Sequence, residues 1–215
     1  MPTLIIGNKN YSSWSLRPWL VLRHLGLEFE EVRLSLGSPD FHTELKRYSQ
    51  AGRVPVFQDD LGSIWDSLAI CEFLAERHPL LWPDEPYQRA MARAYVCEMH
   101  SGFAALRAEL PMNCRAQQRR VEPSQAALAD IARIEQIWQQ CIEHHAEEGP
   151  WLFGRFGIID AFFAPVAIRF NGYQLGLAHN SHEYIKLHLS NPLLQEWIAA
   201  GQAESEVILR EEVGA

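Results

Sequence analysis

The 215-residue sequence predicts a small α/β domain of about eighty residues followed by an all-α domain. Within residues 1–80, short apolar runs alternate with segments whose apolar residues recur every three or four positions. These two periods are typical of strands and helices. Residues 79–86 contain three prolines and predict a linker. In residues 87–215, every long segment has helical spacing, which predicts a helical bundle.

The first domain is predicted to follow the order βαβ, α, ββα. Strands are expected where apolar residues form short runs or alternate with polar ones, at 3–7, 32–36, 54–57 and 63–65. Helices are expected where apolar residues share one face, at 16–25, 40–48 and 67–77. The intervening Asp59-Asp60-Leu61-Gly62 has turn chemistry, so the last two strands should pair antiparallel.

Pro18 fixes the expected start of the first helix. Proline has no N–H and collides with the carbonyl four residues back, so it is tolerated mainly in the first turn. The helix should therefore begin near Ser15, or a residue or two earlier, with Ser15 as its cap. Tyr11, Ser12 and Ser13 would then lie beside a helix N-terminus, which favours a bound anion. An ordinary serine-rich capping loop explains the same residues.

The second domain is expected to consist of helices alone. They are predicted at 87–110, 123–146, 157–170, 184–189 and 192–200. The first of them should run unbroken to Pro111, because proline does not continue a helix.

Neither a disulfide framework nor a metal site is predicted. The four cysteines lie far apart and form no C-x-x-C pair. Cys71 and Cys97 occupy apolar positions of predicted helices, which indicates small core residues. His179, His182 and Glu183 are assigned to a polar loop, because they lack the helical spacing of known metal sites.

Charge and composition exclude several classes of partner. The formal net charge is −8, and the only basic cluster spans residues 115–120, so nucleic acid is not an expected partner. No apolar run reaches the roughly 18 residues that span a bilayer. The N-terminus enters a strand directly, without the basic and apolar regions of a signal peptide, which makes a cytoplasmic protein the expectation.

Two further places in the first domain could contribute to a site beside the serine-rich loop. Pro55 opens a strand, where a cis peptide would turn the backbone of Val54 outward, although a trans proline at a strand edge is the commoner case. Asp66 and Ser67 lie at the junction of the last strand with a helix. Either side chain suits a helix cap, and a carboxylate there could also bind a ligand's ammonium group.

In this order, the serine-rich loop, G-R-V-P-V at 52–56 and D-S at 66–67 resemble the cytosolic glutathione S-transferases. The segments L-F-G at 152–154 and G-I-I-D-A at 157–161 are similar to that family's helix-capping segment. The family usually has Ser or Thr where this chain has Gly157, yet Asp160 can still reach back to the backbone. The resemblance, which extends to serine-type, zeta-like bacterial members, implies an α/β thioredoxin-like N-terminal domain and an all-α helical-bundle C-terminal domain.

The resemblance also assigns roles to individual residues, with glutathione as the co-substrate. Ser12 falls where serine-type members keep the hydroxyl that faces the glutathione sulfur. Ser13 is the neighbour that supports or replaces it, and Tyr11 is the alternative donor, since some classes use tyrosine. The residues implied to bind the rest of the tripeptide are Arg53, Val54, Pro55, Asp66, Ser67 and, more weakly, His42.

The implied activity is activation of the glutathione thiol as a thiolate and its conjugation to a small hydrophobic electrophile, in a homodimer. One alternative is glutathione-dependent cis–trans isomerisation, although Trp14 replaces the cysteine of the S-S-C-S pattern of the zeta-type isomerases. Another is a non-catalytic glutathione-binding or interaction protein on the same fold. Residues that could border an acceptor pocket, with core packing as the other interpretation, are Trp14, Met99, His100, Phe103 and Arg107.

Overall fold

The computed structural model describes residues 1–214 and contains a four-stranded mixed sheet in the order β2-β1-β3-β4. The strands are β1 (Thr3–Ile6), β2 (Glu30–Arg33), β3 (Val56–Asp59) and β4 (Gly62–Trp65). β1 pairs parallel with β2 and antiparallel with β3, and β3 pairs antiparallel with β4. This is the thioredoxin-like arrangement that the sequence predicts.

The helices are α1 (Ser13–His24), α2 (Phe41–Leu45), α3 (Ser67–Ala75), α4 (Pro86–Ser101), α5 (Ala104–Glu109), α6 (Gln125–His145), α7 (Ile158–Gly172), α8 (His179–Ser190) and α9 (Pro192–Ala203). Short 3₁₀ turns cover Pro79–Leu81 and Leu209–Glu211. Every regular element from α4 to α9 is a helix, as expected. The exact boundary between the two domains stays a prediction. No helix within residues 1–214 combines the length and the apolar character needed to cross a membrane.

The core runs continuously from the sheet into the helical half. Leu4 and Ile6 of β1 face one side of the sheet, and Ile5 faces the other, as the period of a strand requires. On the first side, α1 packs against both the sheet and α7, and Leu16 and Leu20 are fully buried. The other side carries a smaller cluster that includes Ile5 and residues of α2.

The start of α1 lies within the predicted range, but the predicted cap is wrong. The helix begins at Ser13, with Ser12 at the N-cap position, and Ser15 lies inside it. Ser15 is not a cap, because its Oγ accepts a hydrogen bond from Gly7 N at 3.1 Å. Pro18 is therefore in the second turn, where it leaves the carbonyl of Trp14 without a helical N–H donor.

The single helix predicted at 87–110 is wrong, because it is two helices. α4 ends at Ser101, and α5 starts after Phe103, whose φ is 60°. The Arg107 guanidinium donates to the carbonyl oxygens of Gly102, at 3.0 Å from Nε, and Met99. These bonds satisfy the end of α4, where carbonyls have no helical donor. Sequence periodicity missed the break because it does not register a side chain that caps a distant carbonyl.

Two smaller assignments also change. α8 begins at His179, so His179, His182 and Glu183 lie in a helix and not in a polar loop. Across the described part of the chain, no group of three or more His, Cys, Asp or Glu side chains is placed to hold a metal ion. Cys71 is buried as predicted, whereas Cys97 is exposed on α4. Cys97 occupies an apolar position of a helix whose other face packs in the core.

Asp160 caps α7 in the way the sequence predicts. Its fully buried carboxylate accepts from Gly157 N at 2.9 Å, Leu152 N at 3.2 Å and the Tyr184 hydroxyl at 2.8 Å. Burial raises the pKa of Asp160 to about 6, and the three donors act in the opposite direction. Glycine at 157 has a steric cause, since a Cβ there would lie 2.7 Å from the carbonyl oxygen of Leu81.

Replacing Asp160 with alanine should destabilise the protein by about 3 kcal/mol or more, because three buried donors lose their acceptor. The stability of Asp160→Asn should lie between those of Asp160→Ala and the wild type. The asparagine amide offers one oxygen as an acceptor but turns N–H groups toward one of the donors. Urea unfolding followed by tryptophan fluorescence measures both effects.

Asp60→Ala is the matched control, because Asp60 is exposed in the β3–β4 turn, and it should change the free energy of unfolding by no more than about 0.5 kcal/mol. An Asp160→Ala protein with wild-type stability would show that the carboxylate does not hold the start of α7.

Candidate active site

A cleft of about 1080 Å³ opens where the N-terminus of α1 and the start of β3 face α4, α5 and α7. It contains every residue that the sequence predicted for the site except His42. Its lining consists of Tyr11, Ser12, Ser13, Trp14, Leu36, Phe41, Ala51, Gly52, Arg53, Val54, Pro55, Trp65, Asp66, Ser67, His100, Ser101, Arg107, Met112, Arg169 and Glu211.

Three serine hydroxyls are stacked at the N-terminus of α1. Ser12 and Ser13 line the cleft and are each 5% exposed. The Ser12 hydroxyl makes no helix-capping bond and lies 2.7 Å from Ser15 Oγ. Ser15 Oγ accepts both from Ser12 and from Gly7 N. An acceptor in the cleft would compete with Ser15 for the Ser12 proton.

Tyr11 faces the cleft, but its hydroxyl is committed elsewhere. It donates to Glu212 Oε1 at 2.6 Å, and it accepts from Arg115 Nη2 at 2.6 Å and Ile208 N at 3.2 Å. Burial, and next the hydrogen bond to Glu212, raise the pKa of Tyr11. The Tyr11 hydroxyl therefore anchors the C-terminal segment, and its hydrogen-bonding capacity is used there.

The Val54-Pro55 peptide bond is cis, which is the conformation that the family resemblance implies. β3 begins at Val56, two residues later than predicted, so Val54 lies outside the strand ladder. The backbone of Val54 borders the cleft and is available for pairing with an extended ligand.

Asp66 and Ser67 form the far wall of the cleft at the start of α3. Asp66 has φ 76°, an uncommon conformation for a residue other than glycine. Its Oδ1 caps α3 by accepting from Leu68 N at 2.8 Å, and its Oδ2 lies 3.2 Å from His100 Nε2. Burial lowers the pKa of His100, while the nearby Asp66 carboxylate opposes that shift. The Ser67 hydroxyl is buried and has no hydrogen-bond partner among residues 1–214.

The remaining candidates divide between the cleft and its surroundings. Arg53 is exposed and lines the cleft, whereas His42 packs against Phe41 and lies off the cleft lining. Of the predicted acceptor-side residues, Trp14, His100 and Arg107 line the cleft, while Met99 and Phe103 are core residues.

Sequence reasoning missed Arg169, which is 5% exposed and donates to Ser13 Oγ at 3.4 Å. Apart from the capping Asp160, Arg169 is the one charged residue in the apolar segment 158–170, and that was the signal that could have revealed it.

The fold and the cleft define a thioredoxin-like protein with a helical C-terminal half. Residues 11–77 match the family model described as glutathione S-transferase, N-terminal domain. A probable maleylacetoacetate isomerase of Caenorhabditis elegans is 36% identical over 107 residues, which cover 49% of each chain. The chain spans about half the length of the curated relatives it matches. Residues 11–77 are thus similar to the N-terminal domain of the glutathione S-transferases.

Solved structures share the fold over nearly the whole chain. A glutathione transferase homolog from Burkholderia GL BGR1, solved with bound glutathione, is 24% identical with a TM-score of 0.72 and covers 94% of this chain and 99% of its own. The nitrogen regulation fragment of the yeast prion protein Ure2p is 20% identical with a TM-score of 0.70, and the match covers 94% of this chain and 96% of the Ure2p chain. At these identities the likeness establishes the fold.

Tyr11→Phe should loosen the C-terminal segment, because Arg115, Ile208 and Glu212 all lose the same hydroxyl. We expect amide hydrogen exchange at residues 204–212 to accelerate about tenfold, the equivalent of one lost hydrogen bond.

Tyr87→Phe serves as the control, since Tyr87 is 71% exposed, and should leave exchange in this segment unchanged. Unaltered exchange in Tyr11→Phe would mean that the other contacts of the segment hold it without the tyrosine.

Proposed function

We propose that this chain is a glutathione-dependent enzyme that activates the thiol as a thiolate and conjugates it to a small electrophile. The observation that carries the proposal is the Ser12 hydroxyl, which lines the cleft at the N-terminus of α1 between the Val54-Pro55 peptide and the Asp66-Ser67 wall. The match of residues 11–77 to the glutathione S-transferase N-terminal domain and the glutathione bound to the Burkholderia homolog support the choice of tripeptide.

The tripeptide would lie along three walls of the cleft. Asp66 and the unpartnered Ser67 hydroxyl suit the γ-glutamyl end, which carries an ammonium and a carboxylate group. The free backbone of Val54 suits the cysteinyl peptide group, and the exposed Arg53 suits the glycyl carboxylate. We leave His42 out of this assignment because it is off the cleft lining.

Thiol activation follows from the position of Ser12. A free thiol has a pKa near 8.5, so only about a few per cent is thiolate at pH 7. Lowering that pKa by about two units requires roughly 2.7 kcal/mol of preferential stabilisation of the anion. A hydroxyl donor and a helix N-terminus together can contribute this much. Ser12 donates to Ser15 Oγ in the absence of a ligand, and its hydroxyl would turn its proton from Ser15 to the bound sulfur.

The conjugation step needs no covalent intermediate on the protein. The thiolate attacks the electrophilic carbon, the S–C bond forms, and the leaving group departs with its bonding electrons. The thiol proton passes to solvent before the attack. In this scheme Ser12 stabilises charge and keeps its own proton, which distinguishes it from a nucleophilic serine.

A second candidate reaction is glutathione-dependent cis–trans isomerisation, and the names of the curated relatives favour it. Here the thiolate adds to a conjugated double bond, rotation follows about the resulting single bond, and expulsion of the thiolate restores the alkene. Parallel assays with maleylacetoacetate and chlorodinitrobenzene separate isomerisation from conjugation, because only the latter consumes glutathione.

We also propose that the protein is a homodimer, as the family resemblance implies. Trp65 on the edge strand β4 and Tyr87 at the start of α4 are large side chains that are 54% and 71% exposed, which supports a partner surface. Sedimentation velocity should give twice the monomer mass of 24.6 kDa, and Trp65→Lys should shift it toward the monomer. A monomeric wild type at micromolar concentration would contradict the dimer.

Ser12→Ala should reduce turnover about a hundredfold while leaving glutathione affinity within about threefold, because Ser12 acts on the thiolate and not on the bound tripeptide. The ultraviolet absorbance of the bound thiolate should titrate at higher pH in the variant. Ser15→Ala should shift the titration much less than Ser12→Ala, because it removes an acceptor that competes for the Ser12 proton and leaves the donor in place.

Ser13→Ala is the matched control within the same loop, and its thiolate titration should stay close to that of the wild type. Unchanged turnover in Ser12→Ala would move the donor role to Ser13. Absence of glutathione binding by isothermal titration would overturn the proposed function, and binding without turnover of any electrophile would favour a non-catalytic protein.

A further inference from the structure

One residue of the helical half reaches the wall of the cleft that is proposed for the γ-glutamyl end of the tripeptide. His100 lies in the last turn of α4 and lines the cleft, and its Nε2 is 3.2 Å from Asp66 Oδ2. Asp66 caps α3 and directly follows the last strand of the sheet. The pair therefore joins the two halves of the chain at the carboxylate that the proposed function assigns to the tripeptide.

Aromatic contacts fix the orientation of the His100 ring. Trp14 meets it edge to face, with centroids 5.3 Å apart, and Phe162 of α7 lies 6.1 Å away. Aromatic pairs at these distances have preferred geometries, so the two neighbours restrict rotation of the imidazole. Nε2 is thereby held toward Asp66, while Nδ1 is buried.

The surroundings of Nδ1 decide which ring nitrogen carries the proton. Nδ1 has no hydrogen-bond partner among residues 1–214. A proton on Nδ1 would be a buried donor without an acceptor, which is costly. A proton on Nε2 has the Asp66 carboxylate as its acceptor. The form of the ring that fits the structure is therefore the neutral imidazole with its proton on Nε2.

The charges around His100 act on the same equilibrium. Burial lowers the pKa of His100, and the Asp66 carboxylate opposes that shift. Arg17 of α1 and Arg107 of α5 add to the lowering, while Phe162 of α7 brings no charge. A neutral ring gives Asp66 a hydrogen-bond donor and leaves its negative charge in place, whereas an imidazolium would offset that charge.

Asp66 keeps capacity for a ligand in this arrangement. Its Oδ1 accepts from Leu68 N at 2.8 Å, and its Oδ2 faces His100. A carboxylate has about four acceptor sites, and the Asp66 side chain is 46% exposed where it lines the cleft. Two contacts thus hold the two oxygens in place, and the remaining sites can accept from an ammonium group.

We propose that His100 is a positioning residue for the tripeptide, whose neutral imidazole donates from Nε2 to Asp66 and holds the carboxylate toward the γ-glutamyl ammonium group. This inference rests on the proposed function, since it adds a residue to that same site. A protonated ring would form an ion pair with Asp66 and compete with the ammonium group. Proton binding at His100 and glutathione binding therefore oppose each other.

Binding is tested with two peptides that differ in one group. Glutaryl-cysteinylglycine has the backbone of glutathione but lacks the γ-glutamyl amino group. In isothermal titrations at pH 7, the wild type should bind glutathione at least about tenfold more tightly than the glutaryl peptide, and Asp66→Asn should remove most of that ratio. His100→Phe keeps an aromatic ring beside Trp14 and loses the donor. It should reduce the ratio about fourfold, through weaker glutathione binding alone.

His100→Gln is the conservative variant, because its amide nitrogen reaches roughly the position of Nε2 and carries no charge. It should restore most of the ratio. In turnover assays, His100→Phe should act on KM for glutathione more than on kcat, since Ser12 still stabilises the thiolate. An equal loss of affinity for both peptides in His100→Phe, or no loss for either, would overturn the inference.

Arg93→Gln is the matched control. Arg93 also joins α4 to α3, with its Nε 3.0 Å from Glu72 Oε1, but neither residue lines the cleft. The variant should leave both affinities at their wild-type values. If Arg93→Gln lowers the ratio as much as His100→Phe does, general contact between α3 and α4 is the cause and His100 has no particular role.

The opposition between proton and ligand is measured by nuclear magnetic resonance, with the histidines isotope-labelled at Cε1 and the His100 signal identified by its absence from a His100 variant. Without ligand, Asp66→Asn should lower the pKa of His100, because the carboxylate opposes the effect of burial. Saturating glutathione should also lower it, since the ammonium group offsets the charge of Asp66. A pKa that rises with glutathione would place a carboxylate of the ligand at the ring and contradict the inference.

The pH dependence of glutathione affinity follows from the same coupling. Affinity in the wild type should fall as the pH drops through the pKa of His100, because the proton then competes with the ammonium group. His100→Gln should lack that fall, since its side chain does not titrate. An identical pH profile in the two proteins would count against the role of His100.

Failure of the inference and failure of the proposed function give different results. If glutathione binds and His100→Phe leaves the ratio intact, the tripeptide site stands without His100. If neither peptide binds the wild type, the proposed function falls and the inference with it. If His100→Phe does not fold, His100→Gln identifies the signal, and the response of the His100 pKa to glutathione decides the matter.

Discussion

The packing of α1 between the sheet and α7 is the constraint on which the rest of the structure depends. α1 buries Leu16 and Leu20 completely, and the middle of α7 is apolar on every side. A helix that is hydrophobic all round is stable only when other elements enclose it, so α7 requires α1, α4 and α8 as neighbours. This packing fixes the positions of α1 and α7 along their axes relative to each other. It is what brings Ser13, at the start of α1, within 3.4 Å of Arg169, near the end of α7.

A second layer of contacts holds the loop before α1 from behind. The Glu204 carboxylate accepts from the backbone N–H groups of Lys9, at 2.8 Å, and Asn10, at 3.2 Å. Tyr11 binds the segment that follows. These bonds fix the backbone on the side away from the cleft, and the side chains of Ser12 and Ser13 are consequently presented to the cleft without needing a ligand to order them. Side chains that must stabilise a transient charge benefit from such preorganisation.

The sequence predicts the succession of the four strands and both halves of the fold, because these depend on local periodicity and turn chemistry. The three walls of the cleft follow from the family resemblance, since each of them alone also suits an ordinary capping loop, edge proline or helix cap. Asp160 is also predictable, since a capping box is a local motif. The break between α4 and α5 is not, because Arg107 creates it by donating to carbonyls of the preceding helix. The exposure of Cys97 is likewise not predictable, since helical spacing does not say which of two apolar positions faces the core. Arg169 joins the cleft only through the crossing of two helices, a relation between residues 156 positions apart.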